Sequence, residues 1–236
     1  AYNVQSTLMI KEQQTTGAVA NMEQIFAGNM YNPYPNLEDE VAILTSYTLN
    51  RRVIDELSEH HIAYFPVARH GIQWQRTYKT SPFVLKELDE KQPYGKPLLI
   101  RFAGGDKYTV ELKEKNGRKR DEDDREYKLG EVYDLHGFNF TMERRDSTKK
   151  LNEGQRWLVW FESPDRLANT YRSSLKAEPV EDYASVYTLS FNGYSPEQGA
   201  DYLNTLMDLY IIQGMEWKQR AADNTINFIE TQLGLI

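Results

Sequence analysis

The chain is 236 residues long, enough for one large domain or two small ones. Its 28 Lys and Arg against 35 Asp and Glu leave a net charge of −7, which argues against nucleic acid as the main partner because phosphate neutralisation needs a basic face. Cysteine is absent, so disulfides, thiolate nucleophiles and Cys-based zinc sites are excluded, while 40% hydrophobic residues can build a sizeable core.

No window reaches the roughly 18 apolar residues that a membrane-spanning helix needs. Ala1-Tyr2-Asn3 leads straight into a strand-like run and the last residues stop inside a helical pattern, so both ends are expected to be cut. Val4 to Ile10 is rich in strand formers, with Val4, Thr7 or Leu8, and Ile10 as burial candidates. Gln13 to Gly17 and Asn29 to Asn36 read as loops around a short helix at Asn21 to Ala27. At Asn36 the signal turns helical. Asn36 can cap, Glu38, Asp39 and Glu40 suit the positive end of a helix, and Leu37, Val41 and Leu44 share a face. A second helical stretch carries Leu49, Val53 and Leu57.

From His61 to about Arg145 the pattern is β-rich. Strands are expected at Ile62 to Val67, Phe83 to Leu88, Leu98 to Phe102, Lys107 to Leu112 and Phe138 to Glu143, with Gly104-Gly105-Asp106 as a hairpin turn. Lys113 to Glu126 is charged at nearly every position and is expected to be a solvated loop. Trp157 to Phe161 reads as a central strand, and Ser163-Pro164 starts a helix. Tyr183 to Phe191 alternates, with Tyr187, Leu189 and Phe191 on one set of positions. Ser195 and Gln198 then form a capping box around Pro196. Apolar residues recur at helical spacing from Ala200 to Leu233, which predicts one helix of about 35 residues that projects beyond its domain or packs on other chains.

Chemistry-bearing constellations are few. Adjacent His60 and His61 at a helix end point in different directions, and with His70 and His136 they are expected at the surface rather than on a metal. Asp121 to Asp124 lack the alternation and the Gly and Glu of a calcium loop, so a charged hairpin tip is expected there. Nucleophile and phosphate-loop motifs are absent, and no catalytic residue or cofactor is assigned. The 16 Tyr, 9 Phe and 4 Trp suggest sugar stacking on exposed rings, with Tyr31, Tyr34, Trp74 and Tyr94 as candidates. Trp157, Trp160 and Phe161 are expected in the core.

The order of these elements resembles the periplasmic part of the Wzz-type polysaccharide co-polymerases, in particular the variety fused to a cytoplasmic tyrosine autokinase. YNVQSTLMIKEQ resembles the family's first strand, and Asn36 to Leu57 its acidic helical start. Lys128 to Glu143 resembles the β insertion of the kinase-linked type. The most specific stretch is Ser185 to Leu233. Ser195-Pro196 stand at the family's Asp-Pro, Leu203-Asn204 at its Leu-Asn, Tyr210-Ile211 at its Tyr-Ile, Phe228-Ile229 at its Phe-Ile and Gln232-Leu233 at its Gln-Leu. Gly214 departs from the family's Asn.

The resemblance implies an α+β fold: a mixed membrane-proximal sheet of Val4–Ile10, Trp157–Phe161 and Tyr183–Phe191 with helices on one face. The β-rich lobe of residues 61–150 would be inserted between residues 1–60 and 151–195, and the helix from Pro196 would extend away. It further implies a non-catalytic, cofactor-free domain in the periplasm, anchored in the inner membrane by flanking helices. Such domains homo-oligomerise beside the membrane polymerase and export machinery and govern the chain length or export of a capsular or exopolysaccharide. Alone, the fragment is expected to be monomeric. The competing expectation is a carbohydrate-binding module holding the glycan on Trp74 and Tyr94; a periplasmic hydrolase is a third, with no motif to carry it.

Overall fold

The computed structural model describes residues 2–9, 37–68, 71–89, 91–113, 119–146, 151–180 and 186–233. The expected loops and short helix between Gln13 and Asn36, the Asn36 cap, Tyr31, Tyr34 and His70 lie outside them.

Two units share the chain, and the fold is α+β. In the first, β1 (Tyr2–Met9), β12 (Val186–Gly193) and β11 (Leu175–Pro179) form an antiparallel sheet in the order β1-β12-β11. The alternation read in β12 holds: Tyr187, Leu189 and Phe191 are buried. They face four helices, α1 (Leu37–Leu44), α2 (Tyr47–Glu56), α3 (Pro164–Ser174) and α4 (Pro196–Leu233), and share one core with Leu49, Val53, Leu167, Tyr202 and Leu206. Burying each such side chain contributes about 1.5–3 kcal/mol. Ser46 separates α1 from α2 and caps the latter, its Oγ accepting from Leu49 N at 3.3 Å. Pro164 fixes the first turn of α3, although Ser163 sits at the cap without a side-chain bond. Inside the first unit Asn50 bonds the carbonyls of Leu44 and Ser46 and accepts from the Tyr202 hydroxyl, so its buried amide joins the α1–α2 break to α4.

The second unit is a β sandwich. Six strands run in the order β3-β2-β10-β5-β6-β7: β3 (Gly71–Ile72), β2 (Ile62–Ala68), β10 (Arg156–Phe161), β5 (Leu98–Gly104), β6 (Lys107–Lys113) and β7 (Lys119–Lys128). A second sheet of β4 (Phe83–Glu87), β9 (Phe138–Arg144) and β8 (Val132–Leu135) covers one face. The core between them is aromatic, with Phe83 edge-on to Phe102 and Trp157 at 5.3 and 5.6 Å. Gly105 and Asp106, both with positive φ (58° and 63°), make the two-residue turn expected between β5 and β6.

Three expectations are corrected. The sheets are antiparallel throughout the described strands, not mixed. Trp157–Phe161 belongs to the sandwich, between β2 and β5, instead of joining β1 and β12; the sandwich strands therefore extend to Phe161, and the chain re-enters the helical unit through Glu162-Ser163. Much of the charged run is strand: residues 119–126 lie in β7, which pairs with β6, Glu122 opposite Glu111 and Asp121 opposite Leu112. An edge strand needs only one face and one edge satisfied by protein, so charge on the remainder is compatible with it.

The helix α4 lies so close on β1 that only glycine fits at one contact. A Cβ on Gly199 would meet Val4 Cγ2 at 2.6 Å and Val4 Cβ at 3.0 Å. In an ordinary helix Gly→Ala stabilises by about 1 kcal/mol. Here Gly199→Ala should instead destabilise by about 1–3 kcal/mol through overpacking, with Val4→Ala restoring most of the loss in the double variant, as read from urea unfolding midpoints. A stabilised Gly199→Ala protein would contradict the close approach.

Candidate functional site

Three features concentrate unusual side chains: a buried relay between the units, an exposed aromatic surface, and the distal half of α4.

The relay begins at the capping-box position. Ser195 Oγ accepts from Gln198 N at 3.1 Å as expected, but the Gln198 side chain turns inward instead of back to the cap and donates to the Tyr171 hydroxyl at 3.0 Å. Tyr171 lies 3.1 Å from His60 Nδ1, and Tyr78 lies 3.0 Å from His60 Nε2. Tyr78 in turn reaches Asp201 Oδ2 at 2.5 Å, which also takes Lys79 Nζ at 2.6 Å. A carboxylate only accepts, so the Tyr78 proton goes to Asp201, and the Tyr78 oxygen must accept from His60 Nε2–H. Neutral His60 is then an acceptor at Nδ1, filled by the Tyr171 proton. The direction of every bond follows from the one acceptor at its end.

His60 is therefore fully buried, not a surface histidine as its sequence position suggested. Burial, and then the Arg76 guanidinium, hold its pKa down from 6.5 to about 3. Burial alone would raise the Asp201 carboxyl, but the Lys79 and Tyr78 bonds bring it below its ordinary value. Arg76 itself is buried and bonds Glu162 Oε2 and the His60 carbonyl, both at 2.8 Å. His61 faces the other way, to Glu87 at 3.0 Å and the Ile54 carbonyl at 2.9 Å. His136 is exposed, in the β8–β9 turn. Among the described residues no group of His, Asp and Glu converges as metal ligands do. A small cleft of about 230 Å³ beside the relay is lined by Thr170, Tyr171, Ser174, Asn192 and Tyr194 and includes no charged side chain.

The aromatic surface lies on the outer face of the six-stranded sheet. Trp74 is 69% exposed and packs on Phe65 and Trp160, ring centroids 5.9 and 6.4 Å away, while Phe65 and Trp160 stack at 4.5 Å. Trp160 is thus half-buried on the outer face, packed on Phe65 and Leu158 and outside the main sandwich core where it was expected; its even-numbered neighbours Arg156 and Leu158 share its face, a period-2 signal that the apolar run concealed. Tyr94 does not join this stack. It sits in the β4–β5 connection beside Gly95, whose N–H donates to the Phe161 carbonyl.

In α4 the family-motif positions divide. Ser195 and Pro196 make the start, Asn204 is exposed, and Tyr210 donates to Glu40. The last buried residue is Leu209, and Arg52 reaches Glu216 at 3.5 Å. Beyond lie Phe228 (50% exposed) and Gln232, among other large apolar residues that are exposed: Ile212, Met215, Trp217, Ile226, Ile229 and Leu233. Ile212, Met215, Gln219, Ala222, Ile226, Ile229 and Leu233 follow one another alternately three and four apart, the spacing of a coiled-coil seam. Trp217, Ala221 and Phe228 form a second line on the opposite flank. The apolar recurrence was legible from spacing alone, whereas its division into two lines was not.

No protein-family profile matches the chain, and neither does any characterised protein. Among solved structures, two crystal forms of Xanthomonas campestris FlgL are similar at TM-scores of 0.25 and 0.26, with 13% and 11% identity. They cover 64% and 75% of this chain, which spans 42% and 56% of theirs. Similarity at that level carries no argument about fold or function.

The relay generates a test. Below the ordinary pKa near 6.5 the unfolded chain binds a proton at His60 that the folded chain refuses until about pH 3. The contribution of neutral His60 is complete above pH 6.5 and is lost as pH falls toward 3, by a few kcal/mol across the window. In the intact protein, the His60 imidazole resonances should not titrate between pH 7 and 4. A His60 resonance moving with a midpoint near 6.5 would refute the relay.

Proposed function

We propose that the chain is the non-catalytic periplasmic domain of an inner-membrane polysaccharide co-polymerase, regulating the length or export of a capsular or exopolysaccharide by assembling side by side with copies of itself. The observation that carries this reading is the distal half of α4, with its two apolar lines on opposite flanks. One line would make a dimer. Two allow each helix to touch two neighbours at once through unlike surfaces, the head-to-tail arrangement that closes into a ring when the rotation is right. Gln219 and Ala222 in the seam keep each contact weak, so membrane confinement, which raises the effective concentration, is needed to populate the assembly.

The cysteine-free background makes the contact testable. Oxidation of an Ala221→Cys/Ala222→Cys double variant at high concentration should give a ladder of cross-linked species beyond the dimer, while either single variant stops at traces of dimer. Absence of the ladder, or a strong dimer from Ala222→Cys alone, would exclude the two-flank contact. In cells, Ile226→Asp with Ile229→Asp should shift the length distribution of the surface polysaccharide at unchanged protein level; an unchanged distribution would exclude the scaffold reading.

A further inference from the structure

We propose that the outer face of the six-stranded sheet binds an acidic polysaccharide, one sugar face on Trp74 and a neighbouring carboxylate on Arg101 and Arg156. Register places these groups together. Arg156 lies opposite Val67 on one side and opposite Arg101 on the other, and Leu158, two residues on, lies opposite Phe65. Directly opposed residues share a face, so the two arginines and the Phe65–Trp160–Trp74 platform occupy the same side of the sheet, with Phe65 one row (about 7 Å) and Trp160 two rows (about 13 Å) along from the arginine pair.

The two guanidiniums are unusual. Like charges directly opposed across a strand pair are unfavourable. Among the described residues neither has a carboxylate partner: Arg156 donates only to the Ala68 carbonyl at 3.4 Å, and Arg101 is exposed. The acid diagonal to them, Glu111, is bonded to Lys113 at 2.5 Å. An anion between the arginines would relieve their repulsion, and a carboxylate suits the planar donor fork of each.

The platform selects the rest of the ligand. Trp74 is a flat ring standing on two others, flanked by exposed Gln73 and Gln75, whose amides both donate and accept, as hydroxyl-rich partners require. A pyranose presents an apolar C–H face and a rim of hydroxyls, which matches that pairing. Single-stranded nucleic acid also stacks on aromatics, but it needs a basic track along its backbone, and a chain of net charge −7 offers here two cations with Glu111 beside them. The site stands on its own geometry; only the identity of the polymer as the cell's own surface polysaccharide rests on the co-polymerase reading.

The test is affinity electrophoresis of the whole chain in gels containing polygalacturonate, dextran or single-stranded DNA. Retardation by polygalacturonate and not by dextran is expected. Trp74→Ala should weaken it about tenfold, and Arg101→Gln with Arg156→Gln should weaken it further and flatten its salt dependence, both with unchanged thermal unfolding. No retardation by polygalacturonate, retardation indifferent to Trp74→Ala, or tighter binding to DNA would each overturn the proposal. The same variants should leave the Ala221→Cys/Ala222→Cys ladder intact, so failure of this site and failure of the scaffold reading are separately visible.

Discussion

The arrangement of the two units depends on how one buried imidazole is satisfied. His60 occupies the single 3₁₀ turn between α2 and β2, where the chain leaves the helical unit for the sandwich. Its two nitrogens are held by Tyr171 from α3 and Tyr78 from the connection between β3 and β4, and these are held by Gln198 and Asp201 of α4. A hydroxyl has one proton, so once Asp201 claims that of Tyr78, and with Gln198 Oε1 itself unpaired, any other assignment around neutral His60 leaves one of its ring nitrogens without a partner. Such an orphan costs about 1–3 kcal/mol. Four segments therefore adopt one mutual position, and the first turns of α4 point away from the sandwich in a fixed direction. Arg76 adds a second tie at the same place, bonding the His60 and Ile62 carbonyls and Glu162, where the chain returns from the sandwich.

That fixed start gives the rest of α4 its meaning. From Gln198 to Leu209 the helix is bound to the body by Tyr202, Leu203 and Leu206, and by the close contact of Gly199 with Val4. From Trp217 onward every described residue is exposed, and 17 helical residues with so little packing are marginal in water. A helix anchored at one end and apolar along two flanks at the other would present the same contacts in every copy of the proposed assembly. The aromatic and arginine surface belongs to the other unit, on the face of the six-stranded sheet turned from its core. The relay thus sets the geometry between a surface suited to a polymer and a helix suited to neighbours.

Much of this was legible wherever a single period dominated. The alternation of Tyr187, Leu189 and Phe191, the Pro196 start and the length of α4 all emerged because local spacing decides which side is buried. Sheet membership was not, because WLVWF satisfies a central strand in either unit and only long-range pairing with β2 and β5 chooses. Trp160 was concealed for a related reason: a strand buried on one face and covered by aromatics on the other reads as apolar throughout. His60 was misplaced because the helix-end rule considers its own element, whereas its partners lie 18 and 111 residues away. The β8–β9 hairpin carried a signal, since His136 and Gly137 both take positive φ as Asn-Gly does in such turns, but His is a rarer occupant.

Where the molecule limits contact is as informative as where it permits it. A sheet edge offers unpaired backbone to any other chain, and several edges here are blunted. β3 is two residues long, β7 is charged along most of its length, and β11 carries Lys176, Glu178 and Pro179. β1 has none of these devices and is the uncharged exception. With a mean hydropathy of −0.69 the chain has polar residues to spare, yet it places isoleucines, a tryptophan and a phenylalanine on the open half of α4. Exposed apolar residues scattered singly need no explanation, but two aligned rows on one helix do. Protection of most strand edges together with exposure of the helix flanks is what the proposed self-association through α4 requires, since contacts there would run side to side and leave the outer face of the sandwich free.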